Sequence, residues 1–185
     1  MNHVGTIRLE TDRLIIRCFN LDDAESVFYN WASDDEVTKY LTWPSYKSVE
    51  VSREYMNFCV NRYENLTFYQ WGIELKDTHE LIGSISVVKI MDELDCLGLG
   101  WAIGRKYWGK GYVAEAAYKV INFLFDNVGA NCIYACHDVN NPNSGRVMQK
   151  VGMRYEGILR QRGHNNQGVV DMVHYSILKS ERKKI

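Results

Sequence analysis

No charge of either sign dominates the chain, since 22 Lys and Arg face 23 Asp and Glu for a net charge of −1. A broad positive field that would gather nucleic acid or an anionic membrane is therefore absent, and no direct nucleic-acid or membrane partner is expected. Proline is scarce, with 2 residues beside 14 glycines, too few for a collagen-like or low-complexity chain. No run approaches the roughly 18–20 consecutive apolar residues of a transmembrane helix, and residues 1–6 lack a basic start followed by an apolar core. A cytoplasmic protein is expected. The five cysteines, Cys18, Cys59, Cys96, Cys132 and Cys136, are odd in number and mostly lie in apolar runs, which suits reduced thiols acting as small hydrophobes. Cys132 and Cys136 share a face of an expected strand and His137 follows, but this is no zinc spacing and a second ligand pair is missing. No metal is expected.

What is present is an ordinary globular composition: 185 residues, 46% hydrophobic, 12% aromatic and 24% charged. That length fits one domain, 1–185, which can bury about two-thirds of its unfolded surface without a metal or disulfide staple. No repeat or linker-like tract divides it. The basic tail Lys179-Ser180-Glu181-Arg182-Lys183-Lys184 reads as frayed and solvated.

Periodicity and punctuation place the elements. Leu14-Ile15-Ile16-Arg17-Cys18-Phe19 reads as a strand, and Asp22-Asp23 open a helix that carries Ala24, Val27, Phe28 and Trp31. A second helix runs from Ser48 or Ser52 to about Asn65, with Val51, Tyr55, Met56, Cys59 and Tyr63 on one face. Strands over 67–75, 81–90 and 96–103 are separated by short turns at 76–79 and 92–93, which implies an antiparallel meander. The strongest helix follows, because Val113, Ala117, Val120, Ile121, Leu124 and Val128 form a regular 3.6-residue stripe that Gly129 can stop. A strand over 131–137, a helix over 144–151 and strands over 154–160 and 169–178 complete the order β-α-α-β-β-β-α-β-α-β-β. This is an α/β fold with a mixed, mostly antiparallel sheet and flanking helices.

Chemistry concentrates in Lys106-Tyr107-Trp108-Gly109-Lys110-Gly111-Tyr112-Val113-Ala114-Glu115-Ala116, between a strand and the regular helix. Two glycines separated by one residue turn the backbone sharply and expose amides, and the helix start behind them adds unpaired N–H groups and partial positive charge. Such a loop can cradle phosphate. Gly109-x-Gly111-x-x-Ala114 also fits the dinucleotide fingerprint of Rossmann folds, but that reading wants a first βαβ unit and an acidic residue about 20 positions on, where Asn131 stands. A Walker loop fails, since no Gly-Lys-Ser/Thr follows at the required spacing. An ordinary structural turn remains an alternative.

Within this segment, Tyr107-Trp108-Gly109-Lys110-Gly111-Tyr112-x-x-Glu115-Ala116 resembles the acetyl-CoA pyrophosphate loop of GCN5-related N-acetyltransferases, and most of all the branch that acetylates ribosomal-protein N-termini. The likeness extends to Glu10-Thr11-Asp12-Arg13-Leu14-Ile15-Ile16-Arg17, to Leu81-Ile82-Gly83, to Asn141-Pro142-Asn143-Ser144, to Lys150-Val151-Gly152-Met153 and to Glu156-Gly157.

The resemblance implies that amides of Trp108, Gly109, Lys110, Gly111, Tyr112, Val113 and Ala114 hold the pyrophosphate of acetyl-CoA. It further implies that the backbone of Trp101, Ala102 and Ile103 pairs with the pantetheine arm, and that Asn141 hydrogen-bonds it. The thioester then lies where the 96–103 and 131–137 strands splay apart, with Ser144 near the sulfur as general acid; Ser144 also suits a helix N-cap.

Two departures stand out. Lys106 takes the place of the usual Arg or Gln, and Gly98-Leu99-Gly100-Trp101 replaces a run that in relatives holds a Glu. No general base carries over. His137, at the end of its strand, is the substitute by position, with a loop or packing histidine as the alternative.

The implied reaction is direct attack of a neutral amine on the thioester, with a strand N–H stabilising the oxyanion. An α-amine with a pKa near 8 is already partly neutral at physiological pH, unlike a lysine near 10.4, so a site without a strong base leans toward a protein N-terminus. Asp22, Asp23, Glu25, Asp34, Asp35 and Glu36 could attract a basic peptide or simply solvate a surface. Trp43 and Trp71 are candidate cleft or core aromatics. A small-molecule acetyltransferase and a non-catalytic acyl-CoA-binding module remain alternatives, with the chain acting as a monomer or homodimer.

Overall fold

The structure, a computed structural model, describes residues 1–182. Its strands are β1 (Leu9–Glu10), β2 (Leu14–Arg17), β3 (Gln70–Leu75), β4 (Leu81–Met91), β5 (Cys96–Ile103), β6 (Cys132–Asp138), β7 (Arg154–Asn165) and β8 (Gly168–Leu178). They form one sheet in the order β1-β2-β3-β4-β5-β6-β8-β7. Short turns make β3, β4 and β5 the expected antiparallel meander, and β2 pairs antiparallel with β3 across the long helical segment 18–69. Only β5 and β6 run parallel among the described strands, because the chain between them crosses over through a helix.

The helices are α1 (Ala24–Val27), α2 (Asp35–Thr38), α3 (Val49–Arg62), α4 (Tyr112–Phe123) and α5 (Pro142–Lys150). The first expected helix is broken into a 3-10 turn (Leu21–Asp23), α1 and a π turn (Phe28–Ala32). The regular helix likewise relaxes into a π turn (Leu124–Val128) before Gly129 stops it at φ +83°. The expected stripe of α4 is nevertheless buried, Val113 included, and Ala117, Val120 and Ile121 pack with Ile73, Ile85, Leu97 and Leu99 of the sheet.

Each face of the sheet has its own core. α4 and α5 cover one, and Ile133, Ala135, Val173, Tyr175 and Ile177 point into it. On the other, Ala24, Val27, Trp31, Met56 and Cys59 of the 21–62 segment pack against Leu81 and Ala102. Arg17 ties this second layer down, with its guanidinium donating to both Asp23 oxygens at 2.8 and 2.9 Å and its Nε to Glu74 at 2.5 Å. Burial raises the Glu74 carboxyl, but His79 and Arg17 overcome this and hold it below the usual range.

The tail is less frayed than expected. Residues Lys179–Glu181 form a 3-10 turn and Arg182 reaches Asp126 at 2.8 Å; Lys183 and Lys184 lie outside the described residues. Among the described residues no helix is long and apolar enough to cross a membrane. Nor does any group of three or more His, Cys, Asp or Glu among them gather as metal ligands. The cysteines are free thiols.

Candidate active site

Parallel strands bring their carboxyl ends, and the helices that follow, to one edge of a sheet, where ligands of open α/β sheets bind. β5 leads there to a 3-10 turn (Arg105–Tyr107), the glycine loop and α4; β6 leads to Asn141 and α5. Gly109 and Gly111 take φ of +75° and +82°, the left-handed region in which a side chain is strained, and Gly111 is the N-cap of α4. The amide of Trp108 donates to the Arg105 carbonyl at 3.2 Å. Of the seven amides expected to hold pyrophosphate, that of Trp108 is thus engaged, while those of residues 109–114 donate to no carbonyl among the described residues. Trp108 instead braces the loop, since its indole donates to the Ile103 carbonyl at 2.9 Å.

Three cations surround the loop. Arg13 lies 4.5 Å from the Tyr112 ring centroid and donates to the Lys110 carbonyl at 3.2 Å. The Lys150 ammonium is 3.4 Å from where a Cβ on Gly111 would stand. Lys110 sits over Tyr107, whereas Lys106 turns away to Glu80 at 3.2 Å. Glu115 anchors this arrangement by accepting from Thr11 at 2.5 Å, from the Arg13 amide at 3.2 Å and from Arg13 Nε at 2.7 Å. Burial raises its pKa, but the hydrogen bonds from Thr11 and Arg13 outweigh this and lower it. Arg13 and Lys150 were quoted in the sequence only as parts of motifs. Their convergence needed the fold.

The splay is present. The β5–β6 ladder ends at Leu99–Ala135, so residues 100–103, including Trp101, Ala102 and Ile103, pair with β4 and leave their other edge without a strand. Asn141 is the N-cap of α5, with no capping bond from its side chain, and Pro142 follows. Ser144 thus sits in the first helical turn rather than at the cap, and its amide donates to the Asn141 carbonyl at 3.2 Å. Its hydroxyl has no protein partner among the described residues.

His137 does not stand at an open mouth. It is 8% exposed, stacks on Tyr175, and a Cβ on Gly145 of α5 would lie 2.6 Å from its Nε2. Its Nδ1 donates to the Asp138 carbonyl at 2.7 Å. The alternation of β6 turns this ring, like Ile133 and Ala135, toward the helices.

On the opposite face, Gly98 has a physical reason. Its partner in β6 is Tyr134, and a Cβ on Gly98 would meet the phenol at 2.7 Å. The ring fills the space that a carboxylate side chain would need.

The acidic segment is largely engaged: Asp23 holds Arg17, Asp34 caps α2 and meets Arg105 at 3.1 Å, and Asp35 accepts from Ser45 beside Lys47. An uncompensated acidic wall is not what the fold builds. Trp71 is fully buried and donates to the Ile7 carbonyl at 2.7 Å, a core residue, while Trp43 packs partly buried on Tyr46. The β7–β8 turn crosses to this side, where the Asn166 side-chain amide donates to the carbonyls of Thr38 and Trp43, both at 2.8 Å.

Known proteins resemble this chain over most of its length. The family model described as an acetyltransferase (GNAT) domain matches residues 13–154. The chain is 34% identical over 171 residues to the uncharacterized N-acetyltransferase YoaA of Bacillus subtilis, covering 92% of this chain and 96% of that one. It is 26% identical over 166 residues to the [ribosomal protein uS5]-alanine N-acetyltransferase of Escherichia coli, covering 84% and 82%. The crystal structure of a GNAT-family acetyltransferase from Bacillus anthracis superposes with a TM-score of 0.82 at 29% identity, over 95% of this chain and 100% of the other.

Proposed function

The chain belongs to the GNAT acetyltransferase family and is an N-acetyltransferase that uses acetyl-CoA; from that premise we propose that its acceptor is the α-amine of a protein N-terminus, ribosomal proteins first among them. The observation that carries this reading is the Gly98–Tyr134 contact, which leaves β5 without a carboxylate in the run 98–101. A site so built favours an amine that is already partly neutral, and an α-amine near pKa 8 meets that condition where a lysine near 10.4 does not. The likeness to an enzyme named a [ribosomal protein uS5]-alanine N-acetyltransferase supports a ribosomal-protein acceptor.

In this reading the amides of residues 109–114 and the positive end of α4 bind the pyrophosphate, with Arg13, Lys110 and Lys150 screening its charge. The free edge of Trp101, Ala102 and Ile103 and the Asn141 side chain hold the pantetheine arm straight, and a β5 N–H faces the oxygen on which charge develops. Acetyl-CoA supplies an activated acyl group with a thiolate leaving group. Ser144, at the start of α5, gives that thiolate a proton, while His137 seats α5 on β6 in place of acting as the base. No covalent enzyme intermediate is needed.

Calorimetry with acetyl-CoA, with NADH as control, tests the cradle: micromolar binding of the first alone is expected. Mass spectrometry of peptides offered beside polyamines and amino acids tests the acceptor. Label on the α-amine of peptides is expected; label on internal lysines or only on small amines would replace the acceptor.

A further inference from the structure

An acceptor that arrives as an ammonium must lose a proton before its lone pair can attack, and neither Gly98 nor the buried His137 serves that step. β8 carries another histidine. Val173, Tyr175 and Ile177 of this strand point into the α4–α5 core, so alternation turns His174 to the opposite face, the face of Tyr134 and Cys136. His174 pairs across with Cys136, the first β6 residue past the last β5–β6 pair. The ring is therefore level with the opening of the splay, one strand spacing of about 5 Å from β6.

Its other cross-strand partner is Gly157, which has no side chain to cover it. The imidazole is half-buried, makes no hydrogen bond within the described residues, and lines a cavity of about 270 Å³ with Tyr134, Glu156, Leu159 and Ser176.

We propose that His174 is the base that takes the proton of the acceptor ammonium, directly or through one water. The assignment rests on the acetyl-transfer reading above. One proton passes from the ammonium to a ring nitrogen of His174; the N–C bond then forms as the C–S bond breaks. The second N–H proton goes to the thiolate by way of Ser144, and the imidazolium returns its proton to water.

The groups around His174 leave it this task. On β6, burial raises the Tyr134 phenol and the Cys136 thiol, so both stay neutral. On β7, Glu156 accepts from the Ser176 hydroxyl and Arg162 adds positive charge. Burial first, and Arg162 second, hold the His174 imidazole below its ordinary value, so it is neutral and able to accept near pH 7.

The test compares His174→Gln, His174→Ala and Glu156→Gln in the whole chain, using acetyl-CoA and the acceptor found by mass spectrometry. For His174→Gln we expect kcat/KM at neutral pH to fall about 100-fold, with the deficit shrinking as pH rises toward the pKa of the amine. Its acetyl-CoA affinity should match wild type. Added imidazole should restore part of the His174→Ala rate, which a merely structural residue would not allow. A wild-type pH profile in His174→Gln, or loss confined to Glu156→Gln, overturns the assignment. If the histidine variants fail to fold, NMR of wild-type His174 decides: ring resonances that stay unchanged on addition of the acceptor overturn it, and acceptor-dependent shifts of those resonances uphold it. Failure of the wild-type chain to bind acetyl-CoA is read separately and overturns the functional reading itself.

Discussion

The glycine loop and the β7–β8 hairpin flank the same splay but are held by different means. The loop is shaped by residues that adjoin in sequence, with Gly104 to Gly111 turning on their own backbone and one clasp from Thr11 and Arg13. The hairpin is placed by contacts across the chain: Asn166 reaches Thr38 and Trp43, and Asn165 donates to the buried Asp138 at 2.8 Å. A backbone cradle for a phosphate ester tolerates changes in side chain, whereas a wall assembled from distant side chains changes with every substitution. The first suits a common co-substrate. The second suits a varied acceptor.

The largest expected effect is on the layer that Arg17 ties to the sheet. Arg17→Ala leaves Asp23 buried without its cation and Glu74 with His79 alone, and should cost about 3 kcal/mol in urea unfolding. Lys106→Ala, at an exposed pair with Glu80, should leave the urea midpoint close to that of the wild type. Gly111→Ala then probes the loop: a side chain at φ +82° should cost about 1–2 kcal/mol, and by calorimetry acetyl-CoA affinity should fall about tenfold. The acceptor KM should stay put.

Asn166→Ala, which removes two side-chain hydrogen bonds, should cost about 1 kcal/mol and raise the acceptor KM with acetyl-CoA affinity unchanged. A parallel loss of acetyl-CoA affinity would erase the distinction between the two sides.

The smallest effect is acid titration. The folded pKa values of Glu74 and Glu115 are depressed, so their stabilisation is full above the unfolded carboxylate value of about 4.3 and is lost as pH falls through the folded values. Glu115→Gln should flatten this acid limb by under about 1 kcal/mol in pH-dependent unfolding.

The same contrast governs what could be read from the sequence. The α4 stripe, the meander turns and the glycine loop are local patterns, and they were legible with the sheet class and helix order. The two-residue β1, α2 and the π turns lack a period long enough to read. The face a strand residue takes depends on a partner that sequence does not name: His137 fell under α5, Gly98 proved to be filled by Tyr134, and His174 passed unremarked. Arg13 and Lys150 are far apart in sequence yet flank one glycine. The acidic run left a peptide-attracting surface and a solvated one equally open, because its cations, Arg17, Arg105 and Lys47, lie outside the run itself.

The parallel ladder between β5 and β6 has a consequence for the lifetime of the molecule. Its register covers only residues 96–99 against 132–135, and it joins the meander to the β6-β8-β7 portion. With four paired residues on each strand, this seam holds the two portions together by a short ladder, and amide exchange along it is expected to report partial unfolding. A ligand that lies along both strands beyond the last pair extends the seam. Protection from proteases should then rise with ligand concentration, making the survival of the folded chain a gauge of the acetyl-CoA around it.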